Sequence, residues 1–234
     1  MDYHKEHFED YSLMVYKNEQ LIALLPANKK DSKIYSHQGL SYGGVVFIKD
    51  IKFKDSLESF KSILEFLKES GYQTLYINPI PHFYNTQISE EIFYLFSILK
   101  AKLIQRDTLS VIRYSDGISL SKSRKEGVSR AQKQGLEIKE VAGFDEFWND
   151  LLIPNLKLKH KTKPVHSLQE ITKLKSHFPD NIRQFNVYYN NEIVAGTTIF
   201  ESAGVAHTQY ISGNENNNKL GSLDFLHAHL ISSV

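Results

Sequence analysis

Cysteine is absent from the 234 residues, which excludes a disulfide framework, a thiolate zinc site and a thiol nucleophile. An excess of either charge is missing too. Lys and Arg number 28 and Asp and Glu 27, leaving a net charge of +1. That argues against a strongly basic nucleic-acid or DNA-binding protein while leaving room for local basic patches. No apolar run approaches the roughly 18 residues of a membrane helix. The charged opening Met1–Asp10 has no signal-peptide stretch. There is no Gly-x-Ser-x-Gly elbow for a hydrolase triad. The glycine-rich stretch Gln38–Phe47 lacks the Gly-Lys-Ser/Thr ending of a Walker loop. What is present is 41% hydrophobic and 12% aromatic residues, ample for a packed core. The reading is a soluble, cytoplasmic globular protein of one large domain or two small ones.

Two consecutive units are predicted, 1–116 and 117–234. The first reads β-β-β-α-β-α-β-β. Its strands are Tyr11–Lys17, Gln20–Pro26, Lys33–His37 and Thr74–Asn78, with Lys102–Tyr114 as two more. Its helices are one capped by Asp55, with Leu57, Phe60, Ile63, Leu64 and Leu67 inward, and one capped by Ser89, with Ile92, Phe93, Leu95, Phe96 and Leu99 inward. The second unit reads α-β-α-α-β-β-β-α. A polar, basic helix covers Ser121–Gln134. Phe144, Phe147, Trp148, Leu151 and Leu152 mark an amphipathic helix that Pro154 disturbs. Ser167 and Glu170 form a capping box that opens another. Two strands meet at an Asn190-Asn191 hairpin turn. A third covers Gly204–Ser212, and a last helix starts at Gly221. The halves look like a structural repeat, the second stopping before its closing strands.

Three stretches resemble the FemAB-like branch of the GNAT (N-acetyltransferase) superfamily. They are Leu21–Pro26 followed by His37–Gly44; the basic segment Ser129-Arg-Ala-Gln-Lys-Gln-Gly-Leu-Glu-Ile138; and Ile193–Phe200 with His207–Ser212. The resemblance implies an α+β fold of tandem GNAT-like domains, with mixed sheets flanked by helices and the second domain incomplete at its C-terminus. It also implies an N-acyltransferase that moves an acetyl or aminoacyl group onto an amine of an amino sugar, peptide or cell-envelope precursor, in envelope or polysaccharide synthesis. The implied donor is acyl-CoA such as acetyl-CoA, with aminoacyl-tRNA as the alternative; no metal is expected, because no clustered ligands accompany the histidines. In place of the family's Arg/Gln-x-x-Gly-x-Gly/Ala turn stands Asn216-Asn-Asn-Lys-Leu-Gly221, where only the last glycine matches. The competing class is a non-catalytic binding or assembly subunit, whose open sheet edge would pair with another chain as a homodimer.

Strict alternation along 204–212 puts Val205, His207, Gln209 and Ile211 on one face and Ala206, Thr208, Tyr210 and Ser212 on the other. His207 is the candidate general base, because imidazole titrates near neutrality. Gln209 is placed to orient substrate, and Tyr210 is a rival acid pointing the opposite way. Residues Asn218, Lys219, Leu220, Gly221 and Ser222 form a turn able to hold a pyrophosphate at a helix N-terminus. Arg130 and Lys133, neighbours on one helix face, and His160, in a lysine-rich stretch, are candidate anion contacts. Tyr42, Gly43 and Gly44 are candidates to line an acceptor groove. For each, an ordinary turn, a solvated basic face or a half-buried strand histidine is the plainer alternative. His4 with His7, and His227 with His229, lack the companions a metal site needs.

Overall fold

A computed structural model describes residues 7–87, 89–202 and 204–233; His4 lies outside them. The chain divides into two compact units, Met1–Asp107 and Thr108–Val234, so the division falls before the 116/117 break expected from sequence.

In the first unit the strands are β1 (Glu9–Asp10), β2 (Leu13–Lys17), β3 (Gln20–Leu25), β4 (Asn28–Lys30), β5 (Lys33–Tyr35), β6 (Val46–Phe47) and β7 (Thr74–Tyr76), with helices α1 (Phe53–Glu69) and α2 (Glu91–Ile98). They build a mixed sheet β1-β4-β5-β7, in which β5 and β7 run parallel, and an antiparallel sheet β2-β3-β6. Leu25, Ala27 and Ile34 pack on Ile63 and Leu67 of α1. The helix begins earlier than expected. Lys52 is its N-cap, and Asp55 sits in the first turn with its carboxylate 2.5 Å from Lys17 Nζ. Ser56 and Ser59 are buried on α1 because their hydroxyls donate back to the carbonyls of Phe53 and Asp55, which satisfies them without water. In α2 only Leu95 is buried, and Phe93 and Leu99, expected inside, are exposed.

Segment 102–113, expected as two strands, forms no regular structure, and Leu103, Ile104, Leu109, Val111 and Ile112 are exposed. Strand-forming side chains do not suffice where no neighbouring strand completes the hydrogen-bond ladder.

The second unit contains α3 (Lys122–Lys133), β8 (Glu137–Val141), a π-helical turn (Phe147–Leu152), α4 (Ile153–His160), α5 (Leu168–His177), β9 (Ile182–Tyr189), β10 (Glu192–Ser202), β11 (Val205–Gly213), α6 (Asn217–Leu220) and α7 (Ser222–Ser233). Its sheet, ordered β11-β10-β9-β8, is antiparallel throughout the described residues. Asn190 and Asn191, both at positive φ, make the hairpin turn that asparagine tolerates. One sheet face carries Phe185, Val187, Ala195 and Ile199 against Ala131 of α3 and Leu226 and Leu230 of α7. The other carries Ile182 and Tyr210 against Phe144, Phe147, Trp148, Leu151 and Leu152, with Ile171 of α5. Pro154 does not end the helix. It has no N–H to return to the carbonyl four residues back, and the turn just before it widens to π spacing. The Ser167–Glu170 capping box is present in full.

Buried polar groups on this second face are paired in sequence. Thr198 Oγ1 donates to Gln184 Oε1 at 2.6 Å. Gln184 Nε2 donates to Asn186 Oδ1 at 2.8 Å. Asn186 Nδ2 donates to Tyr188 Oη at 3.1 Å, and the Tyr188 hydroxyl donates to Glu146. At the sheet rim Arg183 grips both oxygens of Glu140 and one of Glu201, tying β8, β9 and β10 together.

Candidate active site

Strand β11 is not regular. Its register with β10 pairs Thr198 with Tyr210 but Ile199 with Thr208, so Gln209 is an extra residue, a β-bulge. The bulge inverts the alternation expected from sequence. Tyr210 lies opposite Thr198 and His207 opposite Phe200. Thr198 and Phe200 are two apart on one strand and share a face. His207 and Tyr210 therefore share that face as well, which corrects the opposed orientation.

The bulged Gln209 lies between them. Its side chain acts on the titration of both His207 and Tyr210. Toward His207 it favours the charged ring, as a carbonyl oxygen accepting from imidazole N–H does. Toward Tyr210 its influence favours the phenolate. Burial is the larger influence on each group. It pushes the His207 imidazole below its ordinary value and the Tyr210 phenol above its own. At neutral pH the site thus pairs a neutral imidazole, ready to take a proton, with a neutral phenol, ready to give one.

Tyr210 is 8% exposed and is held by a residue the sequence reading overlooked. The backbone N–H of His166 donates to Tyr210 Oη at 3.1 Å, and His166 Nδ1 lies 2.5 Å from the same oxygen. Trp148 Nε1 donates to the His166 carbonyl at 3.2 Å, and the Trp148 ring meets Tyr210 edge-on at 5.0 Å. His166 precedes the capping box by one residue. That box fixes the start of α5 and with it the backbone of His166, which was a readable signal. A second overlooked residue is Asn155 of α4. Its Nδ2 donates to Ser212 Oγ at 2.7 Å and to the Gly213 carbonyl at 2.8 Å, pinning the helix to the end of β11.

The other expected residues lie elsewhere. Arg130 Nη2 donates to the Asn218 carbonyl at 3.2 Å, so this arginine braces the 216–221 turn. Lys133 is exposed in the last turn of α3. His160 is exposed at the end of α4 among Lys157, Lys159, Lys161 and Lys163. In the first unit the Gly43 N–H donates to the Asn78 carbonyl at 2.7 Å. A Cβ on Gly43 would stand 2.0 Å from the Ser36 carbonyl oxygen, and Gly44 has φ +99; both positions demand glycine. Tyr42 packs its ring 5.5 Å from that of Tyr84. Two clefts, one of about 490 Å³ between Leu64 and Leu75 and one of about 320 Å³ along Val111–Leu120 and Ile231, are lined by none of these residues.

No family model matches the sequence, and no curated protein matches it. Solved structures do. FemX aligns over 98% of this chain and 77% of its own, with a TM-score of 0.63 at 10% identity. The C-terminal domain of a putative lysylphosphatidylglycerol synthetase from Agrobacterium fabrum aligns over 96% of this chain and 66% of its own, at 0.61 and 12%. L-PGS from Bacillus licheniformis aligns over 99% and 70%, at 0.55 and 15%. The chain has the FemAB-like, GNAT-type fold. At these identities the likeness is one of architecture, and the chemistry has to be argued from side chains.

In a FemAB-like fold the expected donor turn is Asn218–Ser222, and its fit to a CoA pyrophosphate is testable on this structure. The N–H groups of Asn217, Leu220 and Gly221 are spent on the carbonyls of Asn214, Asn216 and Asn217. Gly221 is at φ +73, and a Cβ there would stand 2.2 Å from the Gly127 carbonyl oxygen of α3. Leu220 and Ser222 are buried. Ser222 Oγ has no hydrogen-bond partner, yet it is fully buried rather than offered to solvent. Asn218 and Lys219 alone of the five are exposed. Leu220, Gly221 and Ser222 thus form a packing joint between helices, and they do not fit an open phosphate cradle.

Proposed function

We propose that the chain is an acyltransferase acting in the cytoplasm, and that its chemistry resides on β11 of the second unit. The observation that carries this reading is the bulge at Gln209, which brings His207 and Tyr210 to one sheet face. The amine of an amino sugar, peptide or other envelope precursor attacks the carbonyl carbon of an activated acyl group. His207 takes the N–H proton as the C–N bond forms. The C–O bond to the carrier then breaks, and the leaving oxygen takes the Tyr210 proton. Such paired acid–base assistance supplies about 10²–10⁴ in rate per group.

The donor that suits the structure better is an aminoacyl ester carried on tRNA. The anion turn expected for CoA is closed by α3, whereas the basic stretch Lys157–Lys163 ends three residues before His166 of the site. That stretch can meet a phosphate backbone. The similarity in fold to lysylphosphatidylglycerol synthetases, whose names specify a lysyl-bearing product, agrees with an aminoacyl donor.

The test is transfer itself. The purified chain is incubated with radiolabelled aminoacyl-tRNA or acetyl-CoA and a panel of amino-sugar and peptide amines. Transfer from the tRNA ester, lost in His207→Ala and Tyr210→Phe, supports the reading. Transfer from acetyl-CoA keeps the enzyme class and overturns the donor. Tight donor binding with no turnover makes the chain a binding or assembly subunit.

A further inference from the structure

Tyr210 does not stand alone as an acid. Its oxygen receives the backbone N–H of His166 at 3.1 Å and lies 2.5 Å from Nδ1 of the same residue. One hydrogen occupies the space between Oη and Nδ1, and the two nitrogen states place it differently. When Nδ1 is unprotonated, the phenol must point its own proton at it. When Nδ1 carries a proton, as it always does in the imidazolium and does in one neutral tautomer, Nδ1–H donates to Oη, and the phenol proton is released to point elsewhere. The main-chain bonds of His166, to Tyr210 on one side and Trp148 on the other, hold its backbone beside the phenol.

We propose that His166 is a positioning residue whose protonation state aims the Tyr210 proton. As imidazolium it backs the phenol, and as the phenol gives its proton to a leaving group Oη takes the Nδ1 proton in exchange. The accounting closes. One proton leaves His166, one passes through Tyr210, which ends as it began, and one reaches the leaving oxygen. This inference rests on the acyltransferase reading only for that last recipient. The coupling between the two side chains is a property of the resting protein.

The groups facing this pair come from each element around it. Tyr210 and His207 lie on β11. From α5 comes Glu170, whose charge is felt at Tyr210 and whose carboxylate accepts the Ser167 N–H at 2.7 Å. From the π-helical turn comes Trp148 and from β10 Phe200, its ring 6.4 Å from that of His166; neither titrates. Glu170 is thus the carboxylate beside the pair, a charge whose sign favours a cationic neighbour.

The test reads the phenol directly. Tyrosine labelled with ¹³C at Cζ is incorporated into the full chain, the Tyr210 resonance is assigned by its loss in Tyr210→Phe, and its shift is followed from pH 5 to pH 9. The expected result is a step in Tyr210 Cζ as His166 gains its proton, separate from and below phenol ionisation. His166→Asn, which keeps a donor near the Nδ1 position but cannot titrate, abolishes that step while the other tyrosines keep their shifts. The step does not belong to His207 if it persists in His207→Gln. A Tyr210 resonance flat below phenol ionisation in the wild-type chain overturns the inference, as does a step unchanged in His166→Asn. Because no substrate is present, failure of the acyltransferase reading leaves this result standing, and failure here leaves that reading open to its own assay.

Discussion

At the scale of single residues, two side chains of the same strand are tuned in opposite directions by one cause. Burial disfavours charge, so it lowers the histidine and raises the tyrosine, and the protonation states at neutral pH are those a base and an acid require. His207→Ala is expected to reduce kcat by about 10²–10⁴ with little change in KM, because a proton acceptor acts in the transition state. Steady-state kinetics against acceptor concentration separate the two parameters, and a loss confined to KM would make His207 a substrate contact instead. The acid limb of the wild-type rate profile follows from the sign of the shift. His207 stays neutral to a lower pH than a free imidazole does, so activity should persist below the usual histidine range before protonation removes it. Gln209→Leu removes the hydrogen bond that favours the charged ring. The transition should therefore fall further still, and the acid limb should move to lower pH rather than higher.

At the scale of elements, the bulge and the α3–α7 joint each rest on a feature that pattern reading undervalues. Deleting Gln209 leaves His207 and Tyr210 on one face, since two residues apart is again an even spacing, but it restores a regular ladder. The deletion should fold, and it should lose more activity than Gln209→Ala, which keeps the extra backbone unit and the opening it makes in the ladder. Circular dichroism and the transfer assay read the two effects separately, and equal losses would assign the role to the side chain alone. Gly221→Ala meets both a left-handed backbone and the Gly127 carbonyl, and should cost at least about 2 kcal/mol of stability. Gly127→Ala, whose Cβ would stand 2.0 Å from Asp224 Oδ2, strains the same joint, so the two changes should not add. An unaltered denaturation midpoint for either would mean the helices separate freely. Elements with a local signature were legible in the sequence: the Ser167–Glu170 box, the Asn190-Asn191 turn, and the Phe144–Leu152 stripe, all five of whose apolar residues are buried. What local signature cannot carry was missed. A bulge is a property of two strands together, so counting along one strand gave the wrong face for Tyr210. His166 gains its role only from a tyrosine far along the chain. The apolar 102–113 segment has strand composition without a strand to join.

At the scale of the whole molecule, the chain is two cores joined by that exposed segment. The first unit packs its sheets on α1 and the second sandwiches one sheet between two helical layers, so each unit has a hydrophobic core of its own. Heat denaturation of the full chain should therefore depart from a two-state transition, with a calorimetric enthalpy larger than the van't Hoff value. Equal enthalpies would show the units coupled. A pH dependence carried by two histidines belongs to the second unit. His207 and His227 are both lowered chiefly by burial, so the unfolded chain binds their protons more readily. Stability is then fully present above the ordinary histidine value of about 6.5 and is lost as pH falls from there toward the folded values. His227→Gln should flatten part of that loss while leaving the first unit's transition in place. The joining segment gives the sharpest check on this division. Its Lys102, Arg106 and Arg113 are exposed in irregular backbone, the conformation proteases accept. Brief trypsin treatment of the native chain should cut there before it cuts the lysines and arginines of α1 or α3, whose peptide groups are held in helix. Mass spectrometry of the first fragments decides it. Early cuts within α3 would mean that the basic helix, and the joint it forms with Gly221, opens more easily than the segment between the units.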